Sequence, residues 1–118
     1  MSDQLHEAVL ASKTIFQGKL LTLCRNTVRL ANGHVGTRET VQHPGAVAMV
    51  PVMDDGYVLL VRQWRTAAQR PLLEIPAGTL APDEEPRACA ERELMEEVGY
   101  RPGRLTHISS FYLAPGYS

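Results

Sequence analysis

Gly78 to Tyr100 reads GTLAPDEEPRACAERELMEEVGY, and this stretch decides the fold. Asp83 is suited to cap a helix, and Glu84 and Glu85 suit the positive N-terminal end of one. Pro86 is tolerated in the first turn, where its missing N–H costs little. Gly99 supplies a C-terminal stop, and between these signals Ala90, Leu94 and Val98 recur every four residues as one buried stripe. On such a helix Glu93, Glu96 and Glu97 stand at i, i+3 and i, i+4, so their carboxylates share a face. Like charges at that spacing destabilise a bare helix by roughly 0.2–0.5 kcal/mol per pair, so the pattern predicts a positive partner. Hard oxygen donors clustered in this way suit Mg²⁺ or Mn²⁺, which bridge a few carboxylates to substrate phosphates.

Working outward from the helix, strands dominate the first two thirds. Residues 7–16 and 19–30 are β-branched and apolar with polar interruptions, and Ala31-Asn32-Gly33-His34 signals a tight hairpin into 34–42. His43-Pro44-Gly45 breaks the run. This predicts an N-terminal antiparallel unit over 1–43 and a second, core unit over 44–118. In that core Ala46–Val52 reads as a nearly all-apolar, buried strand. Asp54-Asp55-Gly56 turns it into a second strand, Tyr57–Arg65, whose far end is basic. Leu72–Ile75 is a short strand stopped by Pro76-Ala77-Gly78, and residues 104–113 return to strand composition. The class is α/β.

Bulk properties exclude several roles. At 118 residues, 44% apolar and 21% charged, the chain fits one globular domain with little room for a second. Lys and Arg number 12 against 13 for Asp and Glu, so no net field recruits nucleic acid or an anionic membrane. No apolar run reaches the length of a membrane span. Cys24 and Cys89 have no metal-ligand or CxxC spacing, and the start MSDQLHEAV is too polar for a secretory signal. They read as reduced, core-filling thiols of a cytoplasmic protein.

The 78–100 segment resembles the signature of the Nudix hydrolase family, GX5EX7REUXEEXGU with U an apolar residue. It matches at every defined position once Tyr100 is accepted as the final U. Nine such positions coincide by chance with a probability on the order of 10⁻⁹ per starting point, so the solvated acidic face of an ordinary surface helix is the weaker explanation. The resemblance implies an α/β/α sandwich around a mixed sheet and Mg²⁺-assisted hydrolysis of a nucleoside diphosphate linked to another group. By the family's pattern Glu93, Glu96 and Glu97 hold the metals, Glu84 assists, Arg92 orients the carboxylates, and Gly78 lets its loop pass close to metal and phosphate.

Further blocks resemble the ADP-ribose pyrophosphatase branch: residues 38–47, 61–65, 74–78 and Pro115-Gly116, in that order. Pro115 lies sixteen residues after Gly99, near the proline that marks this branch. The branch implies that Arg65 grips the diphosphate in bidentate fashion, that Arg38 and Glu39 position the adenosine or diphosphate, and that Ala77 offers its carbonyl to a metal. A strand-edge ion pair is an equal reading of Arg38 and Glu39. Glu74 either touches substrate or pairs with an arginine, and His43 is structural. The products expected from ADP-ribose are AMP and ribose 5-phosphate; another nucleoside diphosphate sugar, a dinucleotide, or nucleotide binding without catalysis are the alternatives.

Two departures stand out. Where the branch often places an aromatic on adenine, this chain has Gly18-Lys19-Leu20-Leu21, with Phe16 near enough to substitute but better placed in a core. Family members also continue past Pro115-Gly116 with further strands, a helix and a glutamate-bearing loop. The expectation is therefore a piece of a longer, homodimeric protein, with the general base either one of the three helix glutamates or a residue beyond Ser118.

Overall fold

The computed structural model describes residues 4–118, so the first three residues of the expected N-terminal unit lie outside it. The described residues fall into two compact units. One holds the chain up to His43 together with Ser109–Ser118, and the other is Pro44–Ile108.

The first unit is a three-stranded antiparallel meander of β1 (Ala8–Gln17), β2 (Thr22–Arg29) and β3 (Val35–Gln42), with β2 in the centre. The β2–β3 turn follows the Asn-Gly signal. Gly33 takes φ 88°, its N–H reaches the Leu30 carbonyl at 2.9 Å, and the Asn32 side chain accepts the His34 N–H at 3.0 Å. Cys24 and Val28, on one face of the central strand, are this unit's buried side chains, as the reading of Cys24 as a core thiol expected. Two register shifts interrupt β1, which forms one edge of the sheet and is exposed along nearly all its length. Phe16 is 63% exposed, not placed in a core. Residues 114–118 form a turn, and the Val41 N–H donates to the Tyr117 carbonyl at 2.6 Å.

The second unit carries two antiparallel pairs: β4 (Ala46–Ala48) with β7 (Ala77–Thr79), and β5 (Val61–Arg65) with β6 (Arg70–Glu74). Helix α1 (Pro86–Val98) packs on β4 and β7. Its buried residues Ala90 and Leu94 meet Met49, with Val47, Val98 and Leu105 around them, so the predicted stripe is the one that packs. Cys89 is fully buried beside it. Gly99 ends the helix in the left-handed conformation, φ 74°, and its N–H reaches the Leu94 and Met95 carbonyls at 3.1 Å.

Several expectations need correction. Asp83 is no cap: it takes φ 58° before the helix begins, the N-cap residue is Glu85, and no side chain bonds there. Pro86 fixes the first turn instead. The apolar run 46–52 is regular only over β4 and is not uniformly buried. Met49 is covered, whereas Val50 and Val52 are about half or more exposed, because α1 packs on only one side of the strand. The 57–65 strand is regular from Val61, with Val58 bridged to Val52 across the Asp54-Asp55-Gly56 turn. Pro76-Ala77-Gly78 ends β6 but also opens β7, which local composition conceals because its pairing partner lies some thirty residues earlier. Residues 104–113 form no strand among the described residues. Strand composition fits a pleated surface but supplies no ladder by itself.

Candidate active site

The working face of α1 is organised by one guanidinium. Arg92 meets Glu84 side-on, Nε to Oε2 and Nη2 to Oε1, both at 2.9 Å. Its Nη1 donates to Glu93 Oε1 at 3.0 Å and to Glu96 Oε2 at 3.2 Å. This is the positive partner that the carboxylate spacing requires. Nη2 also reaches the Thr79 carbonyl at 3.4 Å, and the Cys89 thiol lies beneath, 3.7 Å from both that carbonyl and Nη2. The sequence did not single out Thr79, and it marked Cys89 only as a core-filling thiol, not as a neighbour of Arg92. The signal for Cys89 is its position one helical turn before Arg92.

Glu84 closes the loop before the helix as well, accepting the Ala81 N–H at 3.1 Å. The Arg92 hydrogen bonds, then the Ala81 N–H, lower its pKa from the usual 4.5 to about 2. Arg92 is pushed further up by the same Glu84 bond, and burial raises the Cys89 thiol. Because the folded-state pKa of Glu84 is the depressed one, its stabilisation is complete above about pH 4.5 and fades as the pH falls towards 2. Urea melts of wild type and Glu84→Gln should therefore differ most at neutral pH and converge across that acid window. A difference that stays constant with pH would mean that the charge of Glu84 plays no part.

Gly78 lies directly under Glu93. A Cβ at this position would fall inside the Cδ, Cγ and Oε1 atoms of that side chain, so only glycine lets the glutamate cross β7. Glu97 is separate from the Arg92 cluster. Its Oε2 accepts the Ala77 N–H at 3.3 Å, and it lines a concavity of about 210 Å³ with Val61 and Gln63. Ala77 itself pairs with Ala48 in the β4–β7 ladder.

Arg65 stands at the end of β5 and is held by Glu74, Nε to Oε2 and Nη2 to Oε1, both at 2.7 Å. Of the two readings of Glu74, the structure shows the ion pair. Arg38 and Glu39 lie on β3 in the first unit, adjacent and therefore on opposite faces of the strand, so they do not pair with each other. Arg38 instead binds Glu7, at 2.6 Å from Nη2 and 3.1 Å from Nε, and Glu39 sits in register with Arg25.

In kind, the donors on α1 suit a hard divalent cation, being three carboxylates on one helix face. Among the described residues, however, no three acidic, histidine or cysteine side chains converge as a ready-made metal cluster. Glu93 and Glu96 are turned to Arg92, so a cation has to compete with that guanidinium for them.

The second unit thus sets a helix with three glutamates on one face over a glycine-bearing strand. The NUDIX domain family matches residues 42–117, and the Nucleoside diphosphate sugar hydrolase N-terminal domain matches residues 7–41. The chain belongs to the NUDIX domain family. It is 46% identical over 114 residues to an ADP-ribose pyrophosphatase of Bacillus subtilis (strain 168), covering 97% of this chain and 62% of the relative. It is 36% identical over 118 residues to a methanol dehydrogenase activator of Bacillus methanolicus, covering 100% of this chain and 64% of the relative. A crystal structure described as an ADP compounds hydrolase superposes with a TM-score of 0.83 at 29% identity, over 98% of this chain and 64% of that one. The chain thus spans less than two thirds of the length of these relatives. The expected Nudix-type α/β fold is the one found; within the described residues it shows antiparallel pairs and one helix.

Proposed function

We propose that the protein containing this chain hydrolyses the diphosphate bond of a nucleoside diphosphate-linked compound, with ADP-ribose the leading substrate and AMP and ribose 5-phosphate the products. The observation that carries this reading is the row of Glu93, Glu96 and Glu97 on α1, set over Gly78 in a NUDIX domain. The 46% identity to an ADP-ribose pyrophosphatase supports the choice of substrate.

Glu93, Glu96 and Glu97, with the Ala77 carbonyl, would hold Mg²⁺ or Mn²⁺, which when bound acts as a Lewis acid on the diphosphate. Arg92 keeps Glu93 and Glu96 in place through its Glu84 anchor. Glu97 keeps Oε1 clear of hydrogen-bond partners among the described residues, available to a cation or a proton. Arg65 takes the diphosphate, because a planar fork matches two phosphate oxygens better than an ammonium does. A cytoplasmic homodimer is part of the same proposal. The free, buried Cys24 and Cys89 support a reducing compartment, and the exposed β1 edge with Val9 and Phe16 supports self-association.

The test is product analysis of the natural full-length protein with ADP-ribose, sugar nucleotides and dinucleotides, with and without Mg²⁺. AMP and ribose 5-phosphate are expected from ADP-ribose only with the cation. The relative named as a methanol dehydrogenase activator favours a second reading, in which the site binds nucleotide in the service of another enzyme. Tight nucleotide binding with no product from any substrate would select it over the first.

A further inference from the structure

The β5–β6 hairpin places Val61, Gln63 and Arg65 on one face, because alternate strand residues share a face. In this antiparallel register Val61 stands opposite Glu74, Gln63 opposite Leu72 and Arg65 opposite Arg70, so Glu74 is on that face too. The face is the one that lines the concavity with Glu97. Arg65 does not meet its direct neighbour, a like charge. It reaches along the hairpin past Gln63 to Glu74, and both oxygens of that carboxylate are used.

The choice of nitrogens matters. A guanidinium has a side edge, Nε with one Nη, and an end edge made by the two Nη groups, and either edge can grip two oxygens at once. Glu74 takes the side edge, and no protein group among the described residues takes Nη1. The pair is also partly open, with 45% of the Arg65 side chain and 27% of the Glu74 side chain exposed. The Glu74 bond is the main cause of the raised pKa of Arg65.

We infer that Glu74 is a positioning residue: it holds Arg65 by the Nε–Nη2 edge and leaves the Nη1–Nη2 edge to receive a phosphate of the substrate beside Glu97, an inference that rests on the diphosphate hydrolase reading above. A free arginine on a strand end samples many rotamers, all but a few of which are lost on binding. Glu74 settles that choice in advance.

The experiment is a calorimetric titration of the natural full-length protein with the non-hydrolysable α,β-methylene analogue of ADP-ribose in Mg²⁺. Wild type is compared with Glu74→Ala, Glu74→Gln, Arg65→Lys and the Glu74→Ala/Arg65→Lys double variant. Glu74→Ala should weaken binding roughly tenfold, within the range seen for groups in contact. Glu74→Gln, which keeps one acceptor oxygen, should fall between, and adding Glu74→Ala to Arg65→Lys should change affinity less than about twofold. Tighter binding by Glu74→Ala would make Glu74 a competitor of the substrate and overturn the inference. No change, or an equal loss with and without Arg65→Lys, would overturn it as well. Failure of the underlying reading is separate: it is the absence of AMP and ribose 5-phosphate from the wild-type protein.

Discussion

Glu97→Gln is expected to lower cation-dependent release of AMP from ADP-ribose by about 10²–10⁴-fold, the range of a lost acid–base or ligand group, with almost no change in thermal stability. The second half of the expectation follows from geometry. Among the described residues the one hydrogen bond of Glu97 is accepted from the Ala77 N–H at 3.3 Å, and a glutamine oxygen can accept it equally. The substitution also removes a like charge one turn from Glu93, a change of roughly 0.2–0.5 kcal/mol in favour of the helix. Steady-state kinetics beside a melting curve therefore separate chemistry from folding. Undiminished turnover in the variant would remove Glu97 from the reaction.

Gly78→Ala should be damaging by a different route. Gly78 does not have a left-handed backbone, so alanine is conformationally acceptable there, and the conflict lies entirely between the new methyl and the Glu93 side chain. Glu93 is only 13% exposed and tied to Arg92 at 3.0 Å, so it has little room to retreat. Overpacking of this kind costs about 1–3 kcal/mol, and under the proposed function displacing Glu93 should take activity with it. The diagnostic result is the pair Gly78→Ala/Glu93→Ala, which should recover most of the lost melting temperature while remaining inactive. A single Gly78→Ala variant as stable as wild type would refute the packing account.

How much of this was legible in the sequence depended on distance along the chain. The α1 stripe, its Gly99 stop and the need for a cation near the glutamates all rest on periodicity within one helix, and a period of 3.6 fixes them without tertiary knowledge. Asp83 misled because a good capping side chain can occupy a left-handed turn instead, while its neighbour Glu84 was claimed by Arg92 eight residues on. The other gaps are matters of register. Whether Glu74 meets Arg65 depends on how two strands align, and Arg38 finds Glu7 thirty-one residues away. Strand β7 was hidden for the same reason, since Pro76-Ala77-Gly78 carries every local mark of a stop and acquires its strand identity only from β4. Burial was the least readable property. Apolar composition along 46–52 could not show that the helix covers just one side.

Arg92 has a consequence for how this site can vary. Because one side chain serves Glu84, Glu93, Glu96 and the Thr79 carbonyl together, the contributions of the three glutamates are coupled through it. Replacing one of the three glutamates frees donors of Arg92 that the remaining partners absorb, so the effect of a second replacement depends on whether the first has occurred. The three glutamates therefore act as one energetic unit, in which the loss from two substitutions is not the sum of the losses from each.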